Sequence, residues 1–379
     1  MANPKITISQ LNQMMPTLLA APKFQALGLV AAPGVGKTHY FLHELPALLA
    51  ESRGVTVDDI GVVVEKIGQR EDAASICGLT LPGKDASGAL ITTGSKPYLH
   101  QRIESTGKQH GLVLFDEVLH GTADAQKALT DAFNVDEHKL GDWPLPEGWI
   151  VVFTGNRAQD KSGSGRLLSH LRNGRALVFE LDFNFADWKR WAINHDVNPL
   201  VIDCAEAWIY EGFFADAVPT EDGAYCTPRS LVRASDHLTA FMDSGDYDGG
   251  ALPVWMDMLL EANIGYTSAR TLSRHIGMAD EVPSFIEIMD DPEGAKVPDS
   301  TGYQLLAGNR AISGCTTAEQ GEKALQYIVR LRPDLQVTLG CKLLSTSSTN
   351  DWTLTTALSG EFIAKFTDLI PLAESAGWR

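Results

Sequence analysis

The chain has 379 residues, 44% of them hydrophobic and 21% charged, with a formal net charge of −17. That length provides core for more than one domain, and the acidity argues against a broad nucleic-acid-binding surface. No stretch reaches the roughly 18 uninterrupted apolar residues of a membrane-spanning helix.

The opening segment, "MANPKITISQLNQMMPTLLAAPKF", does not join a basic run to a continuous apolar one. It reads as a strand or turn and then a helix rather than an export signal. Cys77, Cys204, Cys226, Cys315 and Cys341 show no C-x-x-C or Cys/His ligand spacing. They are expected to be free thiols, many of them buried, in a reducing cytoplasm (a host's, if the gene is phage-borne), with no structural zinc.

Residues 1–24 form a lead-in in which Thr7 or Ser9 caps a helix beginning near Leu11. "FQALGLVA" then reads as a buried strand and "GKTHYFLHELPALLAES" as a helix with one apolar side. Between them, Gly34 and Gly36 permit the tight turn that aims backbone N–H groups at phosphate oxygens. Lys37 would reach the β- and γ-phosphates, and the Thr38 hydroxyl would ligate Mg2+. Pro33, Val35 and His39 complete the residues expected against the nucleotide. Ala31 stands where the phosphate-loop pattern has its first glycine, a mild change if its φ stays negative.

A strand follows at "GVVVE", and residues 88–109 read as a hairpin or loop and then a short helix, an insertion suited to face a central pore. "HGLVLFDEVLHG" is a strand that delivers Asp116 and Glu117 to its carboxyl edge, where α/β sheets place their chemistry. Asp116 would hold Mg2+ directly or through water, while Glu117 orients and polarises the attacking water. A helix is expected over 123–134. "WIVVFTGNRAQD" is the next strand, with Asn156 at its tip to touch both water and γ-phosphate. "RNGRALVFELDF" supplies a fourth strand, and Arg172 and Arg175 before it are placed to reach a neighbouring subunit's γ-phosphate.

From about residue 187 the apolar spacing turns helical, as in a small lid bundle. Trp208, Tyr210, Phe213 and Phe214 form an aromatic side read as lid core. Pro228 opens a helix and puts Arg229 near its start, where it is either an exposed helix arginine or a group that could fold over a nucleotide. "DDPEGAKVPDSTG" reads as a linker, and the tail, 303–379, as four helices with a polar break at 343–352.

Taken together, these segments resemble an AAA+ ATPase of the MoxR-like, helix-2-insert branch, over roughly residues 25–310. "APGVGKT" matches Walker A, "GLVLFDEV" Walker B, "VVFTGNR" sensor 1 and "TPRSL" sensor 2. "KLGDWPLPEGW" resembles the family's hairpin, and "GLTLPGKD" the segment before its insert. The resemblance implies an α/β P-loop AAA+ core with a parallel sheet over 25–184, an all-helical lid over 185–290 and a helical C-terminal extension over 291–379. It also implies ATP and Mg2+ as cofactors, a hexameric ring, and remodelling of a protein partner, often together with a von Willebrand factor A domain protein. Lys37, Thr38, Asp116, Glu117, Asn156 and Arg229 carry over. The family's "NRF" reads "GRA" here, which favours Arg175 as the trans-acting arginine over Arg172. Two rivals stand beside this reading. A DNA-directed motor would need a basic pore, for which Lys84, Lys96, Arg102 and Lys108 are available. A nucleotide-gated scaffold with little turnover would have no use for both Asp116 and Glu117.

Overall fold

Alternate residues of the central strands face opposite sides of one sheet, and both sides are apolar. Leu27, Leu29, Leu112, Leu114, Ile150 and Val152 share one core with the helices Ile8–Ala20 and Leu45–Arg53. Val30, Val113, Phe115, Val151 and Phe153 share the other with Phe133, Leu129 and Ile103. A period of two with both phases buried is the mark of a parallel sheet covered by helices. The computed structural model describes residues 3–70, 72–84, 86–160, 165–215, 218–219, 223–247, 251–277, 282–299 and 301–349.

The strands are β1 (Lys5–Ile6), β2 (Ala26–Ala31), β3 (Ile60–Lys66), β4 (Thr80–Lys84), β5 (Leu90–Gly94), β6 (His110–Asp116), β7 (Lys139–Leu140), β8 (Trp143–Pro144), β9 (Trp149–Asn156) and β10 (Ala176–Leu181). Six of them form one sheet in the order β1-β10-β2-β9-β6-β3, all pairings parallel. The remaining four make two antiparallel hairpins, β4–β5 and β7–β8. The protein is an α/β fold.

The lead-in does more than cap a helix. β1 adds an edge strand beside β10, and the helix starts at Ile8, three residues before the expected Leu11. Thr7 is the cap: its hydroxyl accepts from Gln10 N, and the Gln10 side chain accepts from Thr7 N. The helix after the phosphate loop is not uniform either. Lys37–His39 is α-helical, Tyr40–Glu44 is a π turn, and Leu45–Arg53 is α-helical again. Pro46 explains the slack, because it has no N–H to donate and its ring crowds the carbonyl of residue 42.

The chain divides into two compact units, one drawn from Met1–Asn194 and Ala215–Ser230, the other from His195–Phe214 and Leu231–Arg379. Within the second, Val282, Ile288 and Met289 share a single core with Leu306, Ile312, Leu325, Tyr327, Ile328, Leu339 and Leu343. The segment expected as a linker is fastened to that core: Tyr327 Oη donates to Lys296 O, Arg330 Nη1 to Pro292 O and Gln304 Nε2 to Pro298 O.

Two expectations need correction here. The helix Pro199–Ala207 stops before the aromatic run, so Phe213 and Phe214 are buried while Trp208 is 40% and Tyr210 94% exposed. Once the α-helical period ends, the four rings no longer share a face. The polar stretch at 343–352 does not break the tail through residue 349, because the helix Pro333–Thr349 continues into it. Buried Leu339 and Leu343 anchor that helix, and packing carries it through poor helix formers. The rest of the tail, including the helix expected at 353–376, lies outside the described residues.

Candidate active site

β2, β9 and β6 end on the same edge of the sheet, with Ala31 beside Asn156 and Phe115 beside Phe153. After Ala31 the chain turns sharply, with Gly34 at φ 82° and Gly36 at φ 106°, both left-handed conformations that L side chains resist. A Cβ on Gly34 would lie 2.7 Å from Thr227 Oγ1, so the position is closed to a side chain for a second reason. Among the described residues, nothing lies within 4 Å of where a Cβ on Gly36 would stand.

Lys37 begins the helix and is 7% exposed. Its Nζ donates to Ala31 O (3.0 Å), Ala32 O (2.8 Å) and Asn156 Oδ1 (3.0 Å). All three ammonium hydrogens are thus aimed by the loop and by the tip of β9. Burial, with the Arg229 charge adding to it, lowers the Lys37 pKa to about 8. Arg229 N donates to Gly34 O at 3.2 Å, which lays the start of the helix Pro228–Asp243 on the phosphate loop and leaves the Arg229 side chain exposed.

The acidic side is organised by one hydroxyl. Thr154 Oγ1 donates to Asp116 Oδ1 and accepts from Glu117 N at 3.1 Å. Thr38 Oγ1 donates to the same Asp116 oxygen at 3.1 Å. Glu117 itself has φ 57°, an uncommon backbone state for a residue with a side chain and one that clusters at functional sites. Gly68 leaves room for it: a Cβ there would come within 3.3 Å of Glu117 Oε2. Among the described residues, no group of three or more His, Cys, Asp or Glu side chains could hold a metal ion. Thr38 and Asp116 present two side-chain oxygens that could hold a divalent cation together with water or ligand oxygens, as Mg2+ sites do.

The structure brings Lys37, Thr38, Asp116, Glu117, Asn156 and the Arg229 backbone to one edge of the sheet. Pro33 and Val35 lie in the loop, both half-buried. His39 is turned toward the helix Phe185–Asn194, where its Nε2 accepts from Trp191 Nε1 at 2.9 Å. Arg172 and Arg175 stand apart, at the amino end of β10. Ala176 pairs with Ala26, at the start of β2, and Arg175 Nη1 donates to His170 O.

Thr154, Arg157, Asp160 and Thr227 carry no role in the sequence reading. Thr154 was within reach of it, since a residue two before Asn156 shares its side of the strand. Arg157 Nη2 lies 2.8 Å from Asp160 Oδ1, and its Nη1 lies 3.2 Å from Glu180 Oε1.

No protein-family profile and no curated protein sequence matches this chain. Among solved structures, it is similar to a mutant of RuvB from Thermotoga maritima, at 12% identity over 76% of this chain and 79% of that one, with a TM-score of 0.35. It is also similar to NtrX from Brucella abortus, at 11% identity over 91% and 69% of the two chains, TM-score 0.37. For NtrX in complex with ADP the figures are 12%, 89%, 68% and 0.36. At such scores the likeness carries no functional weight.

Proposed function

We propose that the protein is a Mg2+-dependent ATPase of the AAA+ kind, MoxR-like, working as a ring that remodels a protein partner. The observation that carries the reading is the meeting of Lys37, Asn156, Thr38 and Asp116 at the carboxyl ends of adjacent strands. Phosphate would enter the glycine turn under the Lys37 ammonium. Thr38 and Asp116 would hold Mg2+, which supplies charge neutralisation at the β- and γ-phosphates. Glu117 would orient a water and accept its proton, with its backbone fixed by Thr154. Asn156 would position that water against the γ-phosphate, and Arg229 would close over the nucleotide.

The position of Arg175 supports a trans role. From Ala176 to Glu180, β10 climbs about 13 Å toward the phosphate-loop edge. Arg175 precedes β10 at the end of the sheet opposite the phosphate loop, which favours a pocket other than its own. A ring using two different faces of each subunit would deliver it to a neighbour.

A protein client fits the insertion better than nucleic acid does. Lys96 pairs with Glu104 and lies over the Trp143 ring, and Arg102 pairs with Glu65 and donates to Val64 O. Leu79, Leu81 and Leu90 in the same region are exposed. Apolar projections of this kind suit protein contacts more than phosphates. A von Willebrand factor A domain protein is the partner class the resemblance points to.

The test is ATP titration by calorimetry together with Mg2+-dependent phosphate release. Wild type should bind and hydrolyse, and Lys37→Ala should lose binding. Equal nucleotide binding by the two proteins would contradict the assignment.

A further inference from the structure

β9 and β10 follow one another in the chain's large sheet but do not touch, because β2 lies between them. Glu180 of β10 stands beside Val30, and Asn156 of β9 beside Ala31. An ion pair from Arg157 to Glu180 therefore crosses the carboxyl end of β2, where the chain leaves the sheet to form the phosphate loop. Arg157 makes that crossing, with Nη1 3.2 Å from Glu180 Oε1.

Asp160 holds the same guanidinium from the other side, accepting from Nε at 3.0 Å and from Nη2 at 2.8 Å. It also fixes the main chain: Arg157 N donates to Asp160 Oδ2, and Asp160 N returns a bond to Arg157 O. Asp160 is 2% exposed, and both of its carboxylate oxygens are taken up by Arg157. A guanidinium shared by two carboxylates in fork geometry is a fastening rather than a phosphate ligand.

The geometry points to Arg157 as a positioning residue that fixes the Asn156 amide against Lys37 by tying the tip of β9 to β10 across the root of the phosphate loop. This rests on the ATPase reading. Its consequence is a defect felt chiefly at the γ-phosphate, since Asn156 is the group it places and Lys37 keeps its bonds to Ala31 O and Ala32 O.

Two variants test it, Glu180→Gln, which removes one charge without changing shape, and Arg157→Lys, which cannot bridge both acids. ADP affinity should stay within about twofold of wild type, while kcat falls about tenfold and KM moves less. Because Arg157 acts through Asn156, adding Glu180→Gln to Asn156→Ala should produce no further loss. Thermal unfolding of each variant identifies any that fail to fold, and the other then carries the measurement. Unchanged kcat in both, losses that add to those of Asn156→Ala, or equal weakening of ADP and ATP would overturn the proposal. Failure of unaltered protein to bind ADP would instead overturn the ATPase reading beneath it.

Discussion

Thr38 Oγ1 donates to Asp116 Oδ1 across 3.1 Å, and this contact joins the phosphate loop to the acidic strand. The Asp116 oxygen also accepts from Thr154, so its direction is fixed from two sides. Thr154→Val keeps the shape and removes the hydroxyl that holds both acids. Steady-state kinetics should show kcat lower by roughly tenfold, with Thr154→Ser close to wild type. A Thr154→Val protein with full turnover would remove that residue from the site.

Lys37 gives the site a pH dependence. With its pKa lowered to about 8, the ammonium is present below that pH and is lost above it. Bound phosphate favours the charged form, so ATP affinity should weaken as pH rises past about 8, and binding near that pH should take up a proton. Calorimetry in buffers of different ionisation enthalpy reads this uptake. Lys37→Arg stays charged throughout and should show none. For stability, the folded protein binds fewer protons than the unfolded chain between about 8 and the ordinary value of 10.5, so Lys37 contributes stability that rises with pH across that window.

Arg175→Ala should leave ATP affinity and assembly size unchanged while lowering turnover. Mixing it with Lys37→Ala subunits should restore part of the activity, because a mixed interface can pair an intact pocket with an intact arginine. Hydrolysis independent of protein concentration, from particles that remain monomeric with ATP, would exclude the trans role. An unaffected Arg175→Ala beside an inactive Arg172→Ala would move it three residues earlier.

In the second unit, Asp203 accepts from Arg310 Nε at 2.8 Å and pairs with His275 Nε2 at 3.2 Å. Burial, the largest influence, pushes its carboxyl up, but the hydrogen bonds and charges of His275 and Arg310 outweigh it and hold it below the usual value. Its contribution is therefore present above the ordinary carboxylate pKa and lost as pH falls through the lowered one. Asp203→Ala should cost about 3 kcal/mol by removing the carboxylate that accepts from Arg310 and pairs with His275, read by denaturant unfolding at neutral pH. A loss under about 0.5 kcal/mol would match an ordinary surface change and contradict this account.

The buried runs around Leu27, Val113 and Val151 announce their strands because both phases of the alternation are apolar. Lys37, Thr38, Asp116 and Glu117 could be read because glycine turns and strand-tip acids leave local patterns. Arg157–Glu180 could not: the bridge depends on β2 lying between β9 and β10, an order that spacing along the chain does not encode. The lead-in reads as a strand or turn before its helix, but its pairing with β10 could not be read, since the two residues Lys5–Ile6 are too short to show a period. The π turn at Tyr40–Glu44 followed from Pro46, but an amphipathic pattern alone reads through it as one helix.

Glu117 carries the central claim, with its backbone in a left-handed conformation beside Asp116 and its N–H held by Thr154. Glu117→Gln keeps the size of the side chain and removes its ability to accept a proton. Single-turnover phosphate release, run beside ATP titration of the same protein, separates chemistry from binding. ATP affinity within about threefold of wild type, with hydrolysis slower by about a hundredfold or more, is the predicted result. Near-wild-type hydrolysis by Glu117→Gln would contradict the assignment of this site as the centre of an ATPase.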